Sequence, residues 1–204
     1  IPYADLLRLI AWAKERGINI VIDESFVDFV DVEGEYSLLK DELLSLNPHL
    51  CVVKSISKSY GVPGFRLGVL ASGNCELIAR LKREVAIWNI NSFGEFYMQI
   101  YEKYHKDYVH AGRLFREERA HFYEELQEVS MLRVIPSQAN YFLCELTTTK
   151  FTATELAVRL LAKHDILIKD CSGKASFRGR NFIRLAVRDR KDNHKLVEAL
   201  KTLE

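Results

Sequence analysis

The stretch Ser55-Ile56-Ser57-Lys58-Ser59-Tyr60-Gly61-Val62-Pro63-Gly64-Phe65-Arg66-Leu67-Gly68 decides how this chain is read. It comes after a short apolar run, Leu50-Cys51-Val52-Val53, of the kind that forms a buried strand. Small polar residues, then Gly61, Pro63 and Gly64, mark the stretch from Lys54 to Gly64 as a loop. A second short run, Asn19-Ile20-Val21-Ile22, ends on Asp23. Continuous apolar runs of this length suit strands buried on both faces of a parallel sheet. Ligands of open α/β sheets bind beyond the carboxyl ends of the strands. Asp23 and Lys58 are therefore expected on one rim.

The chemistry available on that rim is specific. A lysine condenses with an aldehyde cofactor when its pocket supports the neutral amine. An acidic residue keeps a pyridine nitrogen protonated, so that the ring accepts electrons. Hydroxyls from Ser55 and Ser57 and the planar fork of Arg66 suit a phosphate. Taken one at a time these residues have ordinary readings: a turn aspartate, a solvated lysine, a surface arginine. Their combination carries the signal.

Elsewhere, strands and helices alternate. Helices are expected over 3–16, 37–46 and 75–87, and a third strand over 67–70. A long helical pattern runs over about 93–128, with a stripe of Phe96, Ile100, Tyr104, Tyr108, Phe115 and Phe122 that reads as core packing. Beyond it, strands are expected at 132–135, 141–145, 166–169 and 182–187, with helices over 152–164 and about 192–203. Thr152 and Glu155 form the capping-box signature of the first of these. This pattern divides into two domains: residues 1–100, part of a larger α/β domain, and residues 101–204, a smaller α+β domain joined by the long helix.

Composition sets the background. With 48% hydrophobic and 28% charged residues, the chain is that of a globular protein. A net charge of +1 leaves no basic excess for nucleic acid. No apolar run is long enough to span a bilayer, and no secretory signal precedes the first helix. Cys51, Cys75, Cys144 and Cys171 are scattered, as expected of buried thiols in a reducing, cytoplasmic setting. The six histidines show no metal-ligand spacing, so no metal is expected. The chain opens on Ile1-Pro2 rather than Met and reads as a piece of a longer protein.

The Lys58 segment resembles the lysine signature of class I/II aminotransferases, and Val21-Ile-Asp-Glu-Ser-Phe-Val-Asp-Phe29 resembles their strand-end aspartate motif. Within that family the chain is most similar to histidinol-phosphate aminotransferases and threonine-phosphate decarboxylases. The resemblance runs essentially end to end. It implies the C-terminal part of the aspartate-aminotransferase type of fold: an incomplete, mostly parallel α/β large domain plus a small α+β domain. It implies pyridoxal 5'-phosphate as cofactor, an amino acid as substrate, a phosphate-bearing one included, and a homodimer. By the same likeness, Lys58 binds the cofactor aldehyde, Asp23 pairs with the ring nitrogen, Ser55 and Arg66 hold the phosphate, and Arg184 grips the substrate carboxylate.

The family's tyrosine three residues after the aspartate is replaced by Phe26. This loses a donor to the cofactor ring oxygen and opens decarboxylation as an alternative to transamination, as does the segment Ile168-Lys169-Asp170-Cys171. Asn91 has two readings, substrate contact and helix cap; Asn140 has similar standing. Lys174, Arg178 and Arg180 line a basic loop. The family's segments preceding Ile1 supply further cofactor contacts, so this chain alone is expected to bind cofactor weakly and to be inactive. A fused N-terminal domain and a non-catalytic sensory role remain open alternatives.

Overall fold

The structure is a computed structural model that describes residues 1–31, 36–177 and 179–204. It divides into two compact units, Ile1–Gly112 and Arg113–Glu204.

In the first unit, helix α1 (Tyr3–Glu15) buries Ile10 and Ala13. Gly17, at φ 63°, then turns the chain in a conformation that a side chain would disfavour. Strand β1 (Ile20–Asp23) is next, then a 3-10 turn (Val27–Phe29), helix α2 (Asp41–Leu46) and strand β2 (Leu50–Ser55). After these come a one-turn helix α3 (Ile56–Ser59), a 3-10 turn (Pro63–Phe65), strand β3 (Gly68–Ser72) and helix α4 (Cys75–Glu84). Helix α5 (Ser92–Ile100) and a 3-10 turn (Tyr101–Tyr104) follow, and helix α6 (His105–Gln127) starts in this unit and continues into the second.

The sheet order is β1-β2-β3. β1 and β2 are parallel, with Ile20 opposite Leu50 and Asp23 opposite Val53. β2 and β3 are antiparallel, so these three strands form a mixed sheet. Ile10, Leu38, Leu44, Leu50 and Val52 make the core, with Ile20 and Ile22 packed against it. β1 is not buried on both faces as its apolar run suggests: Val21 points away from this core and is 65% exposed.

The long helical pattern is broken at Tyr101–Tyr104. No glycine or proline explains the break. Tyr101 packs against Tyr60, Tyr97 and Tyr108, and tertiary contact thus sets the local backbone.

The second unit holds strands β4 (Leu132–Ile135) and β5 (Tyr141–Leu146), helix α7 (Ala153–His164), strands β6 (Lys169–Asp170) and β7 (Phe182–Ala186), and helix α8 (Arg190–Lys201). Its sheet is antiparallel throughout, in the order β4-β5-β7-β6. Phe122, Phe142, Leu156, Leu160, Ile183 and Leu200 fill its core. The capping box forms as its sequence signature predicts: Thr152 accepts from the Glu155 amide, and the Glu155 carboxylate accepts from the Thr152 amide. β6 is shorter than its apolar run. Asp165 ends α7 in the left-handed region at φ 56°, and Leu167 is 79% exposed, so only Lys169 and Asp170 pair with β7. The cysteines are all free. Cys51, Cys144 and Cys171 are buried, and Cys75, expected inside, is exposed at the start of α4.

Candidate active site

Parallel pairing of β1 with β2 delivers both strand ends to the same rim of the first unit. There the chain stitches itself together. The Glu24 amide donates to the Val53 carbonyl (2.8 Å), and the Ser55 amide donates to the Ser25 hydroxyl (3.1 Å). The Ser25 amide in turn donates to Asp23 Oδ1 (2.8 Å). Ser25 and its surroundings hold the Asp23 carboxyl below the usual carboxylate range. The Ser25 hydroxyl contributes most, then the Ser25 amide, with the charge of Lys58 assisting and burial opposing. A carboxylate so held is ionised at neutral pH.

Lys58 stands in α3, immediately beyond β2. Its Nζ lies 4.0 Å from the centre of the Phe26 ring. Phe26, three residues past Asp23, therefore forms a platform for this amine. Ser57 is buried, and its hydroxyl is 3.5 Å from the Leu67 carbonyl. Gly61 turns the loop at φ 67°, and Arg66 adopts the left-handed region at φ 56°. Arg66 is exposed, with Nη1 3.4 Å from the Pro63 carbonyl. Ser55, Ser57, Arg66 and Gly68 border an open recess of about 420 Å3.

Asp23, Phe26, Ser55, Ser57, Lys58 and Arg66 thus share the rim of one sheet. Asn91 has its amide engaged within the chain: Oδ1 caps α5 by accepting from Gly94 (2.9 Å), and Nδ2 donates to the Phe65 carbonyl (2.8 Å). It fixes the peptide that leads into Arg66.

Arg184 belongs to the second unit. It lies on the exposed face of β7, its guanidinium carbon 5.0 Å from the centre of the Tyr141 ring. With Lys169, Arg188, Lys195, Asp165 and Asp192 it lines a cleft of about 820 Å3. Arg180 is paired with Glu145 (2.7 Å) and stacks over Phe182, which fits a surface ion pair. Lys174 is exposed in the same loop, and the Asn140 carbonyl accepts from Val187. Arg178 lies outside the described residues.

Several residues at the rim escape a sequence reading. Glu24 is buried; its carboxylate accepts from the Leu38 amide (2.5 Å) and the Ser37 hydroxyl (2.9 Å). Asp28 accepts from Lys54 Nζ and from the Ser59 hydroxyl, each at 2.6 Å. Tyr108 lies close to Asp28 and Ser59 as well, and burial pushes its ionisation upward. Only the apolar residues flanking Glu24 and Asp28 hint at burial, and the partners are distant in sequence. Among the described residues, no group of three His, Cys, Asp or Glu side chains could hold a metal ion. No described helix is long and apolar enough to cross a membrane.

Known proteins resemble this chain along nearly its whole length. The aminotransferase class I and II family matches residues 1–200. The CMP-5'-(3-aminopropyl)phosphonate synthase of Streptomyces rubellomurinus is 35% identical over 98% of this chain and 31% of its own length. The threonine-phosphate decarboxylase of Salmonella typhimurium is 32% identical over 100% of this chain and 54% of its own. The solved histidinol-phosphate aminotransferase of Clostridium acetobutylicum superposes with a TM-score of 0.86 at 29% identity, covering 100% of this chain and 59% of that one. The chain spans about half the length, or less, of the curated relatives it matches. It belongs to the aminotransferase class I and II family, and its fold is the C-terminal part of the fold those enzymes share.

Proposed function

We propose that a protein carrying this chain uses pyridoxal 5'-phosphate, held through Lys58, to transaminate an amino acid. The observation that carries this reading is the convergence of Lys58, Asp23, Ser55, Ser57 and Arg66 on the strand ends, with the Lys58 amine over an aromatic ring. The donor set fits the cofactor. Lys58 offers an amine for its aldehyde, and Asp23 an ionised carboxylate for its ring nitrogen. Ser55, Ser57 and Arg66 border a recess with two hydroxyls and a guanidinium for its phosphate. When bound, the cofactor supplies an electron sink for a bond broken at the α-carbon of an amino acid.

The chain's own residues would do the rest. Lys58 acts as the base that takes the α-proton and returns it. Asp23 stays ionised because Ser25 holds it so. Arg184 suits a carboxylate through its planar fork. Asn91 serves the site by fixing the Phe65 carbonyl, and with it the start of the Arg66 turn. The active protein in this proposal is a homodimer acting on a small amino acid, a phosphate-bearing one included.

Phe26 favours a second reading, decarboxylation. A hydroxyl at this position would hydrogen-bond the cofactor ring oxygen, and this chain lacks it. The similarity to a threonine-phosphate decarboxylase supports the same reading.

The test is an absorption spectrum with pyridoxal 5'-phosphate, for the unaltered protein and for Lys58→Ala. A Schiff-base band that is lost in Lys58→Ala supports the assignment; a band indifferent to the substitution refutes it. Product analysis then separates the two readings, since a 2-oxo acid marks transamination and released carbon dioxide with an amine marks decarboxylation.

A further inference from the structure

Two lysines, Lys54 and Lys58, flank the end of β2, and the pyridoxal phosphate reading requires one of them to be the reactive amine. Their surroundings differ. The Lys54 side chain is 12% exposed and its Nζ is 2.6 Å from Asp28 Oδ1, itself on a side chain only 18% exposed. Lys58 is exposed and lies over Phe26. Asp28 sits in the 3-10 turn Val27–Phe29, directly after Phe26. Its second oxygen accepts from Ser59, the residue after Lys58, at 2.6 Å. Tyr108 joins the same cluster from α6, and its ring stacks on Tyr60 at 4.4 Å and 6°.

One carboxylate therefore meets both lysine environments. Condensation of an amine with an aldehyde forms a C=N bond and releases one water, and it needs the nitrogen lone pair. An ammonium clamped to a carboxylate has none to offer until the pair breaks. On the other side, Asp28 ties the turn that carries Phe26 to the helix that carries Lys58, and so fixes the platform under the reactive amine.

We infer that Asp28 is a positioning residue that assigns the reactive-amine role to Lys58, by engaging the Lys54 side chain in an ion pair and by anchoring Ser59 beside Lys58. This rests on the pyridoxal phosphate reading for its purpose, though not for its first test.

That test is trace acetylation of the purified chain with acetic anhydride, read by mass spectrometry, with exposed Lys82 as internal reference. In the unaltered chain Lys54 reacts far more slowly than Lys58. In Asp28→Asn the carboxylate that engages the Lys54 amine is gone, so Lys54 labelling rises about tenfold relative to Lys82. Asp28→Glu restores the protection. Unchanged Lys54 labelling in Asp28→Asn overturns the inference. If that variant unfolds, all lysines rise together and the unaltered chain decides: a slowly exchanging Lys54 ammonium signal by NMR supports the inference, and its absence overturns it. Reductive trapping of pyridoxal 5'-phosphate is the second arm. Label confined to Lys58 that spreads to Lys54 in Asp28→Asn supports the assignment of roles, and label confined to Lys58 in both overturns it. Label without preference for Lys58 in the unaltered chain instead sinks the cofactor reading, and the acetylation result stands separately.

Discussion

The Lys58 amine lies 4.0 Å from the centre of the Phe26 ring, so the residue three positions past the strand-end aspartate forms the floor beneath the proposed reactive amine. A phenyl ring there attracts a cation through its face but donates no hydrogen bond. Phe26→Tyr restores the hydroxyl that the family pattern carries. With pyridoxal 5'-phosphate bound, a donor to the ring oxygen favours the deprotonated chromophore. The spectral titration midpoint should therefore move to lower pH, with about tenfold weaker proton affinity. An unmoved midpoint would show that the hydroxyl does not reach the ring oxygen.

Asp23 depends on Ser25. Removing the hydroxyl in Ser25→Ala takes away the largest cause of the lowered Asp23 value and also the acceptor for the Ser55 amide. The Asp23 carboxyl should then titrate closer to its ordinary value of 3.8, as monitored by carboxyl-carbon NMR. A carboxyl held low in the folded chain contributes stability that is complete above the ordinary carboxylate range and is lost as pH falls through the lowered value. Ser25→Ala should accordingly flatten part of the acid limb of the stability curve.

Gly73 tests the packing that supports β3. A methyl group added there would stand 2.0 Å from the Leu44 carbonyl oxygen and 2.7 Å from its carbon, both backbone atoms of α2. A rigid obstacle of this kind cannot turn aside as a flexible side chain would. Gly73→Ala should cost about 3 kcal/mol, read from the midpoint of urea unfolding. A loss below about 1 kcal/mol would mean that α2 yields readily at this point.

Glu145, in the second unit, bridges two arginines. Its hydrogen bonds, first from Arg180 and then from Arg133, hold its carboxyl down at about 2. NMR titration should place its midpoint there. The pairing contributes stability that is complete above the ordinary glutamate range and disappears as the pH falls through about 2. Arg180→Gln should bring the midpoint back toward the ordinary glutamate value of about 4.3.

Much of this molecule is legible locally. The spacing of Ile10 and Ala13 marks α1, and Thr152 with Glu155 marks the start of α7. Both depend on residues within a turn or two of one another. The rim residues Asp23, Ser55, Ser57, Lys58 and Arg66 are recognisable because short segments at strand ends carry them. β6 and the long helical pattern are not legible to the same degree. Backbone geometry at Asp165 shortens the first, and packing of Tyr101 against Tyr60 interrupts the second.

The sequence by itself determined which residue types stand at the ends of β1 and β2, where helices begin, and which family the chain belongs to, because these are properties of contiguous stretches. Only the tertiary structure decided that Asp28 pairs with Lys54 while Lys58 rests on Phe26, that Ser25 joins Asp23 to Ser55, and that β3 runs antiparallel to β2. Charge pairing and hydrogen bonding act over a few ångströms, whatever the separation along the chain. Which of two lysines meets a carboxylate is therefore settled by the fold that brings distant segments together.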